Sequence, residues 1–173
     1  HAHGRGVIQD EALAVDLYEQ AAKEGVLSAW NNLGVMHENG RGVPRNEARA
    51  FECYVRAADN GYSKAQFNLG IMYLKGRGCQ RDVPLGIEWC TKAADQGLVQ
   101  AQNYLGKQYE DGSYLRKDDT LAVKWYKKAA ERGYHKAQFN LACMYEDGRG
   151  VLQDEESALE WYAKAAKQGN QKA

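Results

Sequence analysis

Apolar and polar positions along the chain follow two alternating patterns, and both recur at a fixed step. The first is seen in the segments that begin at Ala29, Ala65, Ala101 and Ala137. They read AWNNLGVMHENGRGV, AQFNLGIMYLKGRGC, AQNYLGKQYEDGSYL and AQFNLACMYEDGRGV, each starting 36 residues after the last. In every segment a leucine (Leu33, Leu69, Leu105, Leu141) stands four residues before His37, Tyr73, Tyr109 or Tyr145. That spacing places both residues on one face of a helix. Gly40, Gly76, Gly112 and Gly148 follow, suited to a left-handed helix stop.

The second pattern keeps the same register. Alanine pairs recur at Ala21–Ala22, Ala57–Ala58, Ala93–Ala94, Ala129–Ala130 and Ala165–Ala166, followed by Gly25, Gly61, Gly97, Gly133 and Gly169. Ala122, Trp125, Tyr126, Ala129 and Ala130 form the stripe of a helix with one apolar face. Its start is expected at Asp10, Asn46, Asp82, Asp118 or Asp154, whose side chains can cap free backbone N–H groups. Glu11, Glu47, Asp119 and Glu155 come next and suit the positive end of a helix dipole. Pro84 falls in the first turn, where a missing N–H does little harm.

Each unit therefore predicts two helices joined by a short loop, mostly Gly-Arg-Gly-Val. The expected boundaries are the second half of a repeat over 1–28, then repeats over 29–64, 65–100, 101–136 and 137–172, in one continuous domain. A single helix pair cannot bury its own apolar face, whereas stacked pairs can. The expected fold is all-α, an array of antiparallel helix pairs.

These residues resemble the Sel1-like repeat family, relatives of the tetratricopeptide repeats. The shared motif is an alanine, Leu-Gly-x-x-Tyr, Gly-x-Gly-Val, an Asp, then Ala-x-x-Trp-Tyr-x-x-Ala-Ala and a Gly. The resemblance implies a right-handed α/α superhelical solenoid with a concave inner surface, and a role as adaptor or scaffold. The sequence departs from the motif at Gly112-Ser113-Tyr114-Leu115, at Ala142, and where His37 and Cys90 replace tyrosines. A cysteine-rich branch, often described as β-lactamase-like, carries a disulfide in each repeat. Cys53, Cys79, Cys90 and Cys143 occupy four different places in the repeat and do not follow that scheme.

Composition narrows the function classes. Lys+Arg and Asp+Glu both number 23, so there is no basic excess for gripping phosphates or an anionic membrane surface. No apolar run reaches the roughly 18 residues of a spanning helix. The irregular cysteines favour a reducing, cytoplasmic setting over a periplasmic or secreted one. His1, His3, His37 and His135 offer no credible metal spacing beyond the terminal His1/His3 pair, and no cofactor is expected. No catalytic motif is present, and the Gly-Arg-Gly loops read as tight turns rather than phosphate cradles. The chain is not expected to be an enzyme.

By the resemblance, the first helix of each repeat lines the concave face. The expected partner-binding residues are Asn31, Asn32 and Val35; Phe67, Asn68, Ile71 and Leu74; Asn103, Tyr104 and Lys107; Phe139 and Asn140, with Cys143 beside them. Amides offer a donor and an acceptor together, and aromatic anchors commonly dominate binding. The same asparagines could instead bond neighbouring helices, and the aromatics could pack between first helices. Glu38, Glu110, Glu146, Asp111 and Asp147 are expected to make one lip acidic, suited to a basic partner or simply to a charged solvent face. The expected partner is a protein or peptide, with the open ends of the array as a candidate self-association surface. A structural spacer within a larger protein is the alternative, and a hydrolase of the cysteine-rich β-lactamase-like branch is the least favoured reading.

Overall fold

A computed structural model describes residues 2–167, and the side chains of residues 10–167. Among the described residues there are nine α-helices and no strand: α1 (Ala2–Lys23), α2 (Leu27–Asn39), α3 (Glu47–Asp59), α4 (Ser63–Lys75), α5 (Val83–Asp95), α6 (Val99–Asp111), α7 (Asp119–Glu131), α8 (His135–Asp147) and α9 (Glu155–Ala166).

The capping residues act as their chemistry dictates. The side chains of Asn46, Asp118 and Asp154 accept the N–H groups of Arg49, Leu121 and Ser157. Asp82 accepts the N–H of Leu85 in the same way. At the other end, Gly40, Gly76, Gly112 and Gly148 take positive φ and close α2, α4, α6 and α8. A side chain there would strain the backbone.

Two features differ from the sequence-based expectation. The first helices begin two residues before their opening alanine, directly after Val26, Tyr62, Leu98 and Tyr134, none of which caps through its side chain. A start without a polar cap leaves no local mark in the sequence. The second is Asp10, which opens no helix and lies inside the 22-residue α1. Elsewhere the loop is tied back by a backbone bond nine residues long: Asn46 to His37, Asp82 to Tyr73, Asp118 to Tyr109 and Asp154 to Tyr145. The register puts the acceptor for Asp10 at His1, outside the described residues.

The chain divides into two compact units, His1–Lys92 and Ala93–Ala173, with the boundary inside α5. In the first, Leu33 and Met36 of α2 pack with Val15, Ala22 and Cys53, and Leu69 and Met72 of α4 pack with Tyr54, Ala57 and Ala58. In the second, Leu141 and Met144 of α8 pack with Tyr126, Ala129 and Ala130. The second loop glycine permits a close approach. A Cβ on Gly78 would collide with the carbonyl of Glu47, and one on Gly150 with that of Asp119.

A buried amide recurs as well. Gln66, Gln102 and Gln138 donate to the carbonyls of Ala58, Ala94 and Ala130 at 3.3, 2.9 and 3.1 Å. These carbonyls belong to the last turn of the preceding helix, where intrahelical partners run out. The recurring Ala-Gln at 65–66, 101–102 and 137–138 was the available signal for this contact.

Candidate partner-binding face

In the first unit, α2 and α4 bring Asn31, Asn32 and Asn68 together. Asn68 Nδ2 donates to Asn31 Oδ1 at 3.0 Å, and Asn31 Nδ2 reaches toward Asn32 Oδ1 at 3.5 Å. In the second unit, Asn140 Nδ2 donates to Asn103 Oδ1, also at 3.0 Å. The same interhelix amide bond thus occurs in both units. Asn31 is buried and bonded to the amides of Asn32 and Asn68, so its side chain does not lie on the surface as expected. Asn32, Asn68, Asn103 and Asn140 are half-buried, as are Val35, Phe67, Ile71, Tyr104, Phe139 and Cys143. Lys107 is exposed and lies 3.8 Å from Asp111.

Leu74 lies in the core at 1% exposure, contrary to its expected place on the face. The cause lies across the helix pair. Tyr54 and Tyr126 rest against Gly34 and Gly106 and donate their hydroxyls to Glu38 and Glu110 at 2.7 and 2.6 Å. At the position matching these tyrosines, α5 has Cys90, which rests against Gly70. Leu74 stands where the carboxylate would be and leans over Gly86, where the other second helices carry alanine. The leucine fills space that a tyrosine ring would take.

The acidic lip is also altered by its partners. Glu38 accepts an ion pair from Arg77, and Glu110 one from Arg149, each at 2.8 Å. Glu38 and Glu110 are therefore held in Tyr–Glu–Arg groups. Burial first, and the neighbouring carboxylate second, push the Tyr54 and Tyr126 phenols well above their ordinary range. The sequence signal for these groups was Tyr, Glu and Arg repeating in one register, which single-helix patterns do not connect.

Thiol chemistry gains little support. All four cysteines are free. Burial pushes the Cys53 thiol up to about 11 and the Cys90 thiol up to about 12, which disfavours the reactive thiolate. Cys143 lies 3.2 Å from the Tyr162 hydroxyl. No group of three His, Cys, Asp or Glu side chains is arranged to hold a metal among the described residues. The side chains of the terminal His1/His3 pair lie outside them. No described helix is long and apolar enough to cross a membrane.

The model of the Sel1 repeat matches five times, over residues 1–26, 28–62, 63–98, 99–134 and 135–170. The chain belongs to the Sel1 repeat family. Proteins built of Sel1 repeats generally mediate protein–protein interaction. Among solved structures, a protective antigen of uropathogenic Escherichia coli strains displaying an SLR fold is 38% identical, with a TM-score of 0.84, over 92% of this chain and 34% of that one. A Sel1 repeat protein from Oxalobacter formigenes is 34% identical, with a TM-score of 0.82, over 92% of this chain and 63% of that one. An immunity protein from Pseudomonas aeruginosa is 26% identical, with a TM-score of 0.64, over 90% of this chain and 56% of that one. The chain thus spans about a third of the first relative's length and under two thirds of the second's. These likenesses establish the α/α solenoid class of the fold. A comparison with curated protein sequences gave no match.

Proposed function

We propose that this Sel1 array is a scaffold that holds a protein or peptide partner on the face of its first helices. The observation that carries the proposal is the recurrence, in both units, of an amide pair set beside half-buried aromatic and aliphatic side chains. In the first unit the pair is Asn31–Asn68, with Asn32, Val35, Phe67 and Ile71 around it; in the second it is Asn103–Asn140, with Tyr104, Phe139 and the exposed Lys107. An amide uses one hydrogen in the interhelix bond and keeps further donor and acceptor capacity for a peptide backbone. Aromatic rings nearby supply apolar contact area with little conformational entropy to lose.

The test is capture from native lysate with the wild-type array and with a variant carrying Phe67→Ala, Asn68→Ala and Tyr104→Ala. Circular dichroism first establishes that the variant is folded. The proposal predicts a protein retained by the wild type and lost by the folded variant. Retention by both would place binding elsewhere on the surface. Capture by neither would favour a spacer role, in which the array sets the distance between parts of a larger protein.

A further inference from the structure

The chain is neutral as a whole, yet residues 116–136 hold seven Lys and Arg against three Asp and Glu. Much of this excess lies on the outer side of α7. In the matching helices a glutamate neutralises that side. Lys92 pairs with Glu88 on α5 at 2.7 Å, and Lys164 with Glu160 on α9 at 3.7 Å. On α3 the glutamate in this register, Glu52, pairs with Arg49 at 2.7 Å. On α7 the register holds Lys124 instead, four residues before Lys128, with Lys127 beside it. Like charges at this spacing destabilise a helix. Lys128 lies over the Trp125 ring at 4.1 Å. Lys124 and Lys127 are exposed, and no ion pair engages either of them among the described residues. Because α6 and α8 both pack on α7 within the second unit, its outer side is not an open end of the array.

The lysines run up to a pocket. A cavity of about 460 Å³ at the start of α7 is lined by Tyr109, Leu115, Arg116, Lys117, Asp118 and Leu121. Leu121 shares one side of the helix with Lys124 and Lys128, three and seven residues on. The pocket opens at the loop that departs from the repeat, Gly112 to Asp118. In the loops before α5 and α9 the residue matching Lys117 is tied to the first helix. Arg81 donates to the Leu74 carbonyl at 3.0 Å, and Gln153 to the Glu146 carbonyl at 2.9 Å. The Lys117 ammonium lies 3.9 Å from Asp119 instead. Asp118 is engaged in capping, since it accepts the N–H of Leu121. Leu115, Leu121 and the Tyr109 ring suit an apolar side chain, and Arg116 and Lys117 give the rim positive charge.

We infer that the outer side of α7 docks an acidic segment of a partner protein, with one apolar side chain in the pocket and carboxylates on Lys124 and Lys127. This surface is separate from the face of the first helices and does not depend on the scaffold reading of that face. Carboxylates would relieve the repulsion between the lysines and complement the cationic rim. A nucleic acid fits less well. Asp118, Asp119 and Glu131 flank the lysines, and a backbone with a phosphate at every step would have to run past them. A peptide can place its carboxylates only where the lysines stand.

The test selects a displayed library of random peptides on the whole protein. Sequences with aspartate or glutamate around a leucine or phenylalanine should be enriched. A synthetic peptide from that set should bind saturably, and more weakly as salt rises. Lys124→Gln and Lys127→Gln should each weaken it roughly threefold, the scale of one exposed ion pair. Lys92→Gln and Lys164→Gln remove the same charge from the matching helices and should leave it unchanged. Replacing the peptide's apolar residue with alanine should weaken it roughly tenfold, the scale of one buried aliphatic side chain. Enrichment of peptides without acidic residues, or equal binding by the Lys124→Gln, Lys127→Gln double variant, would overturn the inference. So would tighter, lysine-dependent binding of single-stranded DNA or of phosphatidylserine vesicles. Self-association that the double variant abolishes would also overturn it, by assigning the surface to a second copy.

Discussion

Two neighbouring helix pairs in the first unit solve one packing problem with different chemistry. Between α2 and α3, a tyrosine ring lies over Gly34, with Ala50 beside it, and its hydroxyl ends on Glu38. Between α4 and α5, Cys90 lies over Gly70, and Leu74 fills the remaining volume above Gly86. One arrangement is polar and reaches outward to Arg77; the other is wholly apolar. Three positions differ together, since a leucine in place of the carboxylate needs both the smaller thiol and the missing methyl. A buried space accepts either solution if its volume is filled and its polar atoms are paired.

The largest effect is expected where the two solutions are mixed. Leu74→Glu puts a carboxylate in the core opposite a thiol instead of a phenol. A buried, unpaired carboxylate should cost about 3 kcal/mol in urea unfolding. Adding Cys90→Tyr restores a hydroxyl donor, and the double variant should be more stable than the Leu74→Glu single. A strictly additive double variant would show that the two residues are not one packing unit.

Gly86→Ala comes next. The added methyl would lie 2.7 Å from Leu74 Cγ and 2.9 Å from the Gly70 carbonyl oxygen. Overpacking of this kind should cost about 1–3 kcal/mol by thermal unfolding. Leu74→Ala in the same chain should relieve the clash but open a cavity. A neutral Gly86→Ala would mean that this helix pair is looser than its contacts indicate.

Tyr54→Phe keeps the ring and deletes the donor to Glu38, for an expected loss of about 1 kcal/mol. Tyr126→Phe should lose a similar amount through Glu110. The α4–α5 pair has no counterpart to lose, so Cys90→Ser tests the opposite property, an unwelcome hydroxyl in an apolar site.

The smallest effect expected is on acid stability. Burial first, and the charge of Arg49 second, hold the His37 imidazole below its ordinary range, with Glu19 opposing them. A histidine whose pKa is lower folded than unfolded makes the unfolded chain bind more protons as pH falls below about 6.5. Its contribution is therefore complete above that pH and is lost progressively below it. His37→Tyr, which restores the residue found in the other repeats, should flatten this dependence between pH 7 and 5.

Repeat length, helix pairing and the glycines that close the first helices were legible in the sequence, because they depend on residues within one helix or its caps. Leu33, the alanine pairs and Asn46 act locally, and their types alone state their roles. The placement of Leu74 was not legible from α4 alone, since it depends on Cys90 and Gly86, more than ten residues away. Asn31 was misplaced for a related reason: an amide on a first helix can face a partner or the next amide, and only the position of Asn68 decides. The helical course of α1 through Asp10 was equally hidden, because an aspartate inside a helix and one at its cap look alike in the sequence.

The most direct test of the account is hydrogen exchange on the array alone and with the captured partner bound. The scaffold reading predicts slowed exchange along α4 and α8 and unchanged exchange on the outer sides of α3 and α7. Protection confined to α3 and α7, with α4 and α8 unaffected, would contradict it.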